Sequence, residues 1–175
     1  MRVARDLVRQ IAARTTRIRE LESELAGLVA CYAPQLLAEP GCGALTAAKL
    51  IGEIAGAERF SSAAKLARTG GVAPIPASSG QTSRHRLDRG GNRQLNCALH
   101  RLAINKGNWD PETAAYLARK QPEGKSRKEA LRCLKRHLAR RVWRLLRTPP
   151  ARTAPRAAAT VTIPGSAPAV MPCLT

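Results

Sequence analysis

One stretch of this sequence, residues 70–92, combines hydroxyl groups with basic side chains at close spacing. The hydroxyl groups belong to Ser78, Ser79, Thr82 and Ser83. The basic side chains are those of Arg84, His85, Arg86 and Arg89. A serine hydroxyl among guanidinium groups is suited to attack a phosphate, because the cations neutralise charge on the phosphoryl oxygens. A solvated polar loop would use the same residue types, since serine and glycine are common in loops.

The backbone of this stretch is poorly suited to a helix. Gly70 and Gly71 begin it, and Pro74, Pro76 and Gly80 follow. Proline removes a backbone donor and glycine loses more conformational entropy than other residues, so both interrupt helices. We therefore expect a shaped loop or a short irregular hairpin that joins two helical regions. The elements on either side must hold the hydroxyls and cations in place.

The composition of the whole chain indicates an all-α protein that binds a polyanion. Its 175 residues are enough for one ordinary domain with an appendage or two. Aromatic residues make up only 3% of the chain while Ala and Leu are frequent, which favours helices packed closely through small side chains. The formal net charge of +18 predicts strong, salt-sensitive attraction to nucleic acid.

The cysteines and the apolar runs exclude several other classes. The five cysteines are Cys31, Cys42, Cys97, Cys133 and Cys173. They form no Cys-x-x-Cys pair and have no histidine at the spacing of a metal site, so neither a zinc site nor a disulfide framework is predicted. No run approaches the ~20 apolar residues that span a bilayer, and charged residues rather than a signal sequence follow Met1. We expect a cytoplasmic protein without membrane contact.

Residues 1–33 predict a long helix of the coiled-coil type. Apolar residues recur at alternating steps of four and three, interrupted by Arg14; they are Leu7, Ile11, Ile18, Leu21, Leu25, Leu28 and Tyr32, here called the heptad seam. A heptad seam requires a partner helix, so we expect a homo-oligomer formed through residues 4–32. The alternative is a single amphipathic helix that lies on its own domain.

Residues 34–54 resemble a helix-hairpin-helix, a motif that grips a nucleic-acid backbone without reading its sequence. Pro34 ends the coiled-coil-type helix of residues 1–33. Pro40-Gly41-Cys42-Gly43 then forms a turn before an apolar helix. In this motif glycines let the backbone approach a phosphate, whose charge is met by amide groups at the start of the second helix. The candidate contacts are Gly41, Gly43, Thr46 and Lys49. Glu39 departs from the motif, which usually has an aliphatic residue there, and an ordinary helical turn is the alternative.

Capping signals predict further helices within a domain that spans residues 34–147. Phe60-Ser61-Ser62 begins a short helix that we expect to stop at Gly70-Gly71, because serine is a good N-cap and glycine suits the end of a helix. Asn92 caps a second helix, which we expect to end at Gly107. Asp110 begins a third helix as its cap, with proline in the first turn.

The last predicted helix combines an apolar stripe with a basic face. Ser126 and Glu129 form a capping box at its start. The stripe consists of Leu131, Leu134, Leu138, Val142 and Leu145. The cations expected to face away from it are Arg132, Lys135, Arg136, Arg140, Arg141, Arg144 and Arg147. Residues 84–147 contain 18 Lys plus Arg and 5 Asp plus Glu, a net charge of +13, so we expect Arg93, Arg136 and Arg140 to contact a phosphate backbone. A solvated basic face is the alternative.

Residues 148–175 have a different composition from the rest of the chain. Ala, Pro and Thr dominate, no acidic residue occurs, and no helical period is present. Such a segment cannot bury enough apolar surface to order itself, so we expect a disordered tail.

Taken together, these motifs resemble the carboxy-terminal domain of the bridge-RNA-guided transposases of insertion-sequence family 110/116/902. The resemblance covers about residues 5–147 and rests on the order and spacing of several short motifs. They are Pro40-Gly41-Cys42-Gly43 with Thr46-Ala47-Ala48, Arg59-Phe60-Ser61-Ser62, Gly71-Val72-Ala73-Pro74 leading to Ser78-Ser79-Gly80, Arg89-Gly90-Gly91-Asn92-Arg93-Gln94-Leu95, Gly124-Lys125-Ser126 and the Val142-Trp143 region.

The resemblance implies a DNA recombinase with a serine nucleophile. In this family a serine attacks a DNA phosphodiester and holds the broken strand as a phosphoserine. The corresponding residue here is Ser79, with the adjoining Ser78 as the alternative. We infer that Arg84, Arg86 and Arg89 supply positive charge to the phosphoryl oxygens.

The resemblance also implies partners that this sequence does not itself contain. Family members have an amino-terminal RuvC-like nuclease domain with acidic metal ligands, and they use a structured guide RNA. Nothing in this sequence resembles that domain, so we expect no cofactor in the chain, and Mg²⁺ only together with the nuclease domain. The expectation is a truncated insertion-sequence transposase that binds DNA and contributes the serine nucleophile, but is inactive alone. The alternative is a non-catalytic helix-hairpin-helix module that binds nucleic acid.

Overall fold

The computed structural model describes residues 2–77, 85–86 and 88–148, and these residues are mostly helical. The helices are α1 (Arg2–Tyr32), α2 (Pro34–Leu37), α3 (Ala44–Ile54), α4 (Ala63–Thr69), α5 (Arg93–Trp109), α6 (Pro111–Lys120) and α7 (Arg127–Arg147), with a 3₁₀ turn at Ala57–Arg59. The all-α prediction is confirmed. No helix in the described part of the chain has the length and apolar character required to cross a membrane.

Two short strands flank part of the stretch that contains the serines. Strand β1 (Ile75–Pro76) pairs with β2 (His85–Arg86) in antiparallel orientation, with Ile75 opposite Arg86. The stretch therefore returns on itself as a hairpin at this point. Ser78, Ser79 and Arg84 lie outside the described residues, as do residues 149–175 of the predicted tail.

Helix α5 lies at the centre of the hydrophobic core. It packs against α3, α6 and α7, and α4 packs against α7. Its contribution is a row of fully buried side chains, Leu95, Leu99 and Leu102. Each leucine that leaves water in this way stabilises the fold by about 1.5–3 kcal/mol. The Trp143 indole of α7 donates a hydrogen bond to the Phe60 carbonyl oxygen (3.3 Å), which joins the last helix to the segment before α4.

The helix starts follow the predicted caps. The Ser62 side chain accepts a hydrogen bond from the Lys65 amide, and Asn92 Oδ1 accepts from the amides of Gln94 and Leu95 at 2.8 and 3.0 Å. Ser126 forms the reciprocal capping box with the third residue of α7. These caps are short-range contacts between residues at most three apart, which is why the sequence predicts them well.

The predicted end of α5 at Gly107 is wrong, because the helix continues to Trp109. A Cβ atom at Gly107 would lie 2.9 Å from Leu117 Cδ1 of α6. Gly107 therefore lies inside the helix, where it faces Leu117 of α6, and does not terminate it. At the start of α6 the Asp110 carboxylate accepts a hydrogen bond from the Thr113 hydroxyl.

Helix α1 contacts the domain only near its carboxyl end. Residues 2–24 are exposed, Leu25 is half-buried, and Val29 is buried among the core residues. Leu28 of the heptad seam is 68% exposed, because Val29, on the neighbouring face, makes the contact with the domain. The heptad seam therefore does not lie on the domain core over most of its length. Its pairing with a second copy stays a prediction.

We expect the double substitution Ile11→Asn and Ile18→Asn to weaken self-association by at least about 100-fold, since each isoleucine would lose its burial in the paired helix. Both side chains are more than half exposed in the single chain, at 63% and 55%, so the fold itself should be unaffected. Sedimentation equilibrium measures the change. Val8→Asn is the matched control, because Val8 is equally exposed but lies off the heptad seam. An unmodified chain that stays monomeric at high concentration would contradict the prediction.

Candidate nucleic-acid interface

The two ends of the serine-containing stretch are held against each other by backbone contacts. The Asn92 amide donates a hydrogen bond to the Thr69 carbonyl oxygen at 2.6 Å. Gly71 adopts a positive φ of +62°, and a Cβ atom at Gly91 would lie 2.2 Å from the Gly71 nitrogen. Only a glycine at position 91 allows the two chain segments to come this close. We call this contact the glycine clamp.

The side chain of Asn96 forms further hydrogen bonds to the first of the two chain segments in the glycine clamp. Its Nδ2 atom donates to the carbonyl oxygen of Gly70 at 2.8 Å and to that of Gly71 at 3.3 Å. Helix α5, which contains Asn96, is thus tied directly to the start of the hairpin. The sequence did not predict this role, since asparagine inside a helix is uninformative without its tertiary partners.

A cleft of about 640 Å³ lies between the base of the hairpin and the first turns of α7. One wall is formed by residues 71–74 with His85 and Arg86 of β2. The opposite wall is formed by Arg132, Lys135 and Arg136 of α7, and residues 123–125 contribute a third side. The sequence did not predict this cleft, because it requires two segments that are about 50 residues apart to meet.

The acidic groups of the cleft already have partners. The buried Asp88 carboxylate accepts a hydrogen bond from the Gly90 amide (3.0 Å) and pairs with Arg68 (3.3 Å). Glu123 pairs with Lys120 (2.7 Å) and Lys125 (3.4 Å). The third acidic group, that of the α7 capping box, is hydrogen-bonded to the Ser126 amide and hydroxyl.

The arginines of the cleft, in contrast, have no acidic partners in the part of the chain that the structure describes. Within residues 2–77, 85–86 and 88–148, no carboxylate forms an ion pair with Arg86, Arg132 or Arg136. The cleft therefore has an excess of positive charge, which favours an anionic ligand.

Lys135 is the exception among the cations predicted to face away from the apolar stripe, and that prediction is wrong. Its residue surface is only 7% exposed, and its Nζ atom donates to Asn96 Oδ1 at 2.9 Å. Lys135 follows Leu131 by four residues, so the helical period places it on the stripe. Burial lowers the pKa of the Lys135 ammonium, and the charge of Arg132 lowers it further.

The other predicted contact residues occupy three parts of the described structure. Arg86, Arg89 and Arg93 are exposed around the carboxyl end of the hairpin, and Arg136 and Arg140 are half-buried on α7. The remaining described residues of the predicted set lie in the segment that the sequence predicted as a helix-hairpin-helix, which stays a prediction: Gly41, Gly43, Thr46 and Lys49. Lys49 Nζ donates to Gln94 Oε1 at 2.6 Å, which links α3 to the start of α5. Among the described residues no group of three or more His, Cys, Asp or Glu side chains is arranged to hold a metal ion.

In the predicted helix-hairpin-helix segment the two glycines have different surroundings. Gly41 has a φ of +80°, and a Cβ atom there would lie 2.6 Å from the Lys106 nitrogen of α5, so its small size permits an internal contact. Gly43 is exposed and precedes the first turn of α3, and no atom of the described residues lies within 4 Å of an added Cβ. A nucleic-acid backbone therefore has access to this turn at Gly43, whereas the side of Gly41 on which a Cβ would lie is occupied by α5.

Glu39, the residue that departs from the helix-hairpin-helix pattern, anchors this turn to two helices. Its carboxylate pairs with Lys106 Nζ at 2.6 Å and with Arg141 Nε at 3.0 Å. Burial raises the pKa of the Glu39 carboxyl, but the hydrogen bonds and charges of the two cations outweigh burial and hold the pKa below its ordinary value. Removing either partner would leave a buried charge less well compensated. This is a structural role that sequence spacing did not indicate.

Comparison with known proteins shows that part of this chain is similar to a transposase family. Residues 33–118 match the family described as Transposase IS116/IS110/IS902 family. The chain is 37% identical over 133 residues to the 43.6 kDa protein of insertion element IS110 from Streptomyces coelicolor, covering 74% of this chain and 33% of that protein. It is 32% identical over 118 residues to the 42 kDa protein of insertion element IS900 from Mycobacterium paratuberculosis, covering 66% of this chain and 30% of that protein. The chain thus spans about a third of the length of these curated relatives.

Proposed function

We propose that this chain, whose residues 33–118 match the IS116/IS110/IS902 transposase family, is the DNA-binding part of an insertion-sequence recombinase. In this proposal Ser79 is the nucleophile for cleavage and transfer of a DNA strand, with Ser78 as the alternative. The observation that supports it best is the positively charged cleft at the base of the hairpin. Arg86, Arg132 and Arg136 meet there without acidic partners in the described structure.

Chain connectivity limits the distance between the proposed nucleophile and strand β1, which pairs with β2 at the cleft. Ser79 is three residues beyond Pro76, and an extended chain spans at most about 3.6 Å per residue, so the two Cα atoms are no more than about 11 Å apart. A phosphate bound in the cleft would therefore be within reach of the hairpin. Positive charge around that phosphate would stabilise the negative charge that develops when Oγ attacks phosphorus.

The proposal includes partners outside this chain. We infer that cleavage requires Mg²⁺ held by acidic residues of a RuvC-like nuclease domain, and that a structured guide RNA selects the DNA target. Pairing of two copies through residues 4–32 would bring two clefts into one complex. The exposure of most of the heptad seam supports that pairing.

A second candidate function is sequence-independent binding without chemistry. The exposed Gly43 at the start of α3 favours it, because amide groups in the first turn of a helix can meet a phosphate. The two functions predict the same DNA binding. Only the first predicts a covalent protein–DNA adduct that requires Ser79.

We expect binding to DNA to weaken steeply with salt, and the double variant Arg86→Gln, Arg136→Gln to have a shallower dependence. Each phosphate contact contributes about −0.7 to −0.9 to the slope of log affinity against log salt, so the loss of two contacts should change the slope by roughly 1.4 to 1.8. Fluorescence anisotropy at several salt concentrations measures this slope. Arg101→Gln is the control, because Arg101 is exposed on α5 and does not line the cleft. An affinity that is the same at about 50 and 200 mM salt would contradict the proposal.

A further inference from the structure

The cleft contains a buried ammonium group, that of Lys135, which has no acidic partner among the described residues. Lys135 is 7% exposed, and its one hydrogen bond within the described structure is to a neutral amide oxygen. A lysine ammonium has three donors, so two N–H groups of Lys135 have no partner among the described residues. Within that part of the chain, those two donors are available to a ligand in the cleft.

The surroundings of Lys135 do not compensate its charge. Arg132 is close enough for its positive charge to lower the pKa of Lys135. The charge of Lys135, after the larger effect of burial, in turn lowers the pKa of His100, whose buried Nδ1 atom has no hydrogen-bond partner within the described structure. Burying a cation without an anion lowers the stability of the folded state. We therefore expect Lys135 to destabilise the fold when no ligand occupies the cleft.

We propose that Lys135 binds a phosphate group within the cleft, together with Arg132 and Arg136. The ligand class is a phosphate monoester or diester, whose oxygens accept the two free N–H groups of Lys135 and the guanidinium donors of the arginines. The proposal rests on the function proposed above in one respect: it names the residue that would meet the DNA phosphate beside the hairpin.

The same arrangement orients the lysine. Asn96 Nδ2 is fixed by the Gly70 and Gly71 carbonyl oxygens, so Asn96 Oδ1 is held in one direction and accepts from Lys135. A phosphate on Lys135 is therefore one hydrogen-bonded residue away from the glycine clamp. Asn96 acts here as a positioning residue.

The test is a titration of the full chain with inorganic pyrophosphate, followed by NMR at the Asn96 side-chain amide and the Gly71 backbone amide. We expect saturable shifts of both signals in the unmodified chain and in Lys128→Met, the control on an exposed position of α7. In Lys135→Met the affinity should fall by at least about 10-fold, the loss typical of a charge-assisted hydrogen bond. The melting temperature of Lys135→Met should be unchanged or higher, because an uncompensated buried charge has been removed.

Two results would overturn the assignment: unchanged pyrophosphate affinity in Lys135→Met, or a clear fall in its melting temperature, which would show a structural role. An independent measurement on the unmodified chain is the ammonium signal of Lys135 in ¹⁵N-lysine-labelled protein, which must also shift saturably with pyrophosphate. Pyrophosphate binding through Lys135 without DNA binding would leave this site intact and refute the proposed function. DNA binding that is equal in Lys135→Met and Lys128→Met would refute the site alone.

Discussion

Replacing Ser79 with alanine should abolish the covalent protein–DNA adduct, with a loss of at least about 1,000-fold, and should leave DNA affinity within about twofold. The reason is chemical. In the proposed step Ser79 Oγ loses its proton and forms a bond to phosphorus, while the phosphorus–oxygen bond of the DNA strand breaks and the released oxygen leaves as a hydroxyl. Alanine has no oxygen to form that bond, whereas the phosphate contacts of the cleft arginines remain.

The assay supplies this chain with an intact family member whose own serine nucleophile has been changed to alanine, together with guide RNA, Mg²⁺ and labelled DNA. Any protein-linked band on a denaturing gel must then come from this chain, and its size identifies it. Ser78→Ala is the matched control and should retain the band. A band that disappears with Ser78→Ala but not with Ser79→Ala would move the nucleophile by one residue. Full DNA binding with no adduct from the unmodified chain would favour the second candidate function, binding without chemistry.

The second large effect concerns the glycine clamp. Gly91→Ala should lower the free energy of unfolding by about 3 kcal/mol, which corresponds to a fall in melting temperature of about 10 °C. The added Cβ would lie 2.2 Å from the Gly71 nitrogen, 2.4 Å from its Cα and 2.9 Å from the Thr69 carbonyl oxygen. All three are backbone atoms, so no side-chain rotation relieves the clash.

Gly90→Ala is the control for this prediction, because a Cβ there would meet only Asp88 Oδ1 at an ordinary 3.5 Å. Thermal unfolding followed by circular dichroism compares the two variants. Equal melting temperatures would mean that the hairpin ends separate easily and that the clamp does not fix the cleft. If the clamp instead holds the cleft in shape, Gly91→Ala should also weaken DNA binding at temperatures where it remains folded.

The helix starts of this protein were predictable from sequence, and the candidate cleft was not. Ser62, Asn92 and Ser126 cap their helices through residues two or three positions away, so the signal is local. The predicted end of α5 was wrong because Gly107 lies inside the helix, where it faces a side chain of α6. That contact joins two helices, so no local sequence pattern indicates it. The physical difference is the distance along the chain between the interacting groups.

For the cleft, the sequence predicted residues that line it but not how they come together. Residue types in the hairpin predicted a phosphate site, and Arg86 and Arg136 were both in the predicted set. Their convergence depends on the packing of α7 against the hairpin base, which the sequence did not reveal. The burial of Lys135 did leave a signal, since its position four residues after Leu131 lies on the apolar stripe. A charged residue at an apolar position of a helical period is therefore a sequence signal for a buried cation.

The attachment of α1 has a mechanical consequence. Residues 2–24 are exposed, and the helix is fixed to the domain only around Val29, so about 35 Å of rigid rod extends from its pivot. A rotation of about 10° at that pivot would move the far end by roughly 6 Å, about the spacing of one turn of helix. A rotation of this kind would convert a small change in packing around α3 into a larger displacement of a helix paired with α1. Two joined copies could therefore change the separation of their clefts by several ångströms without any rearrangement of the cores.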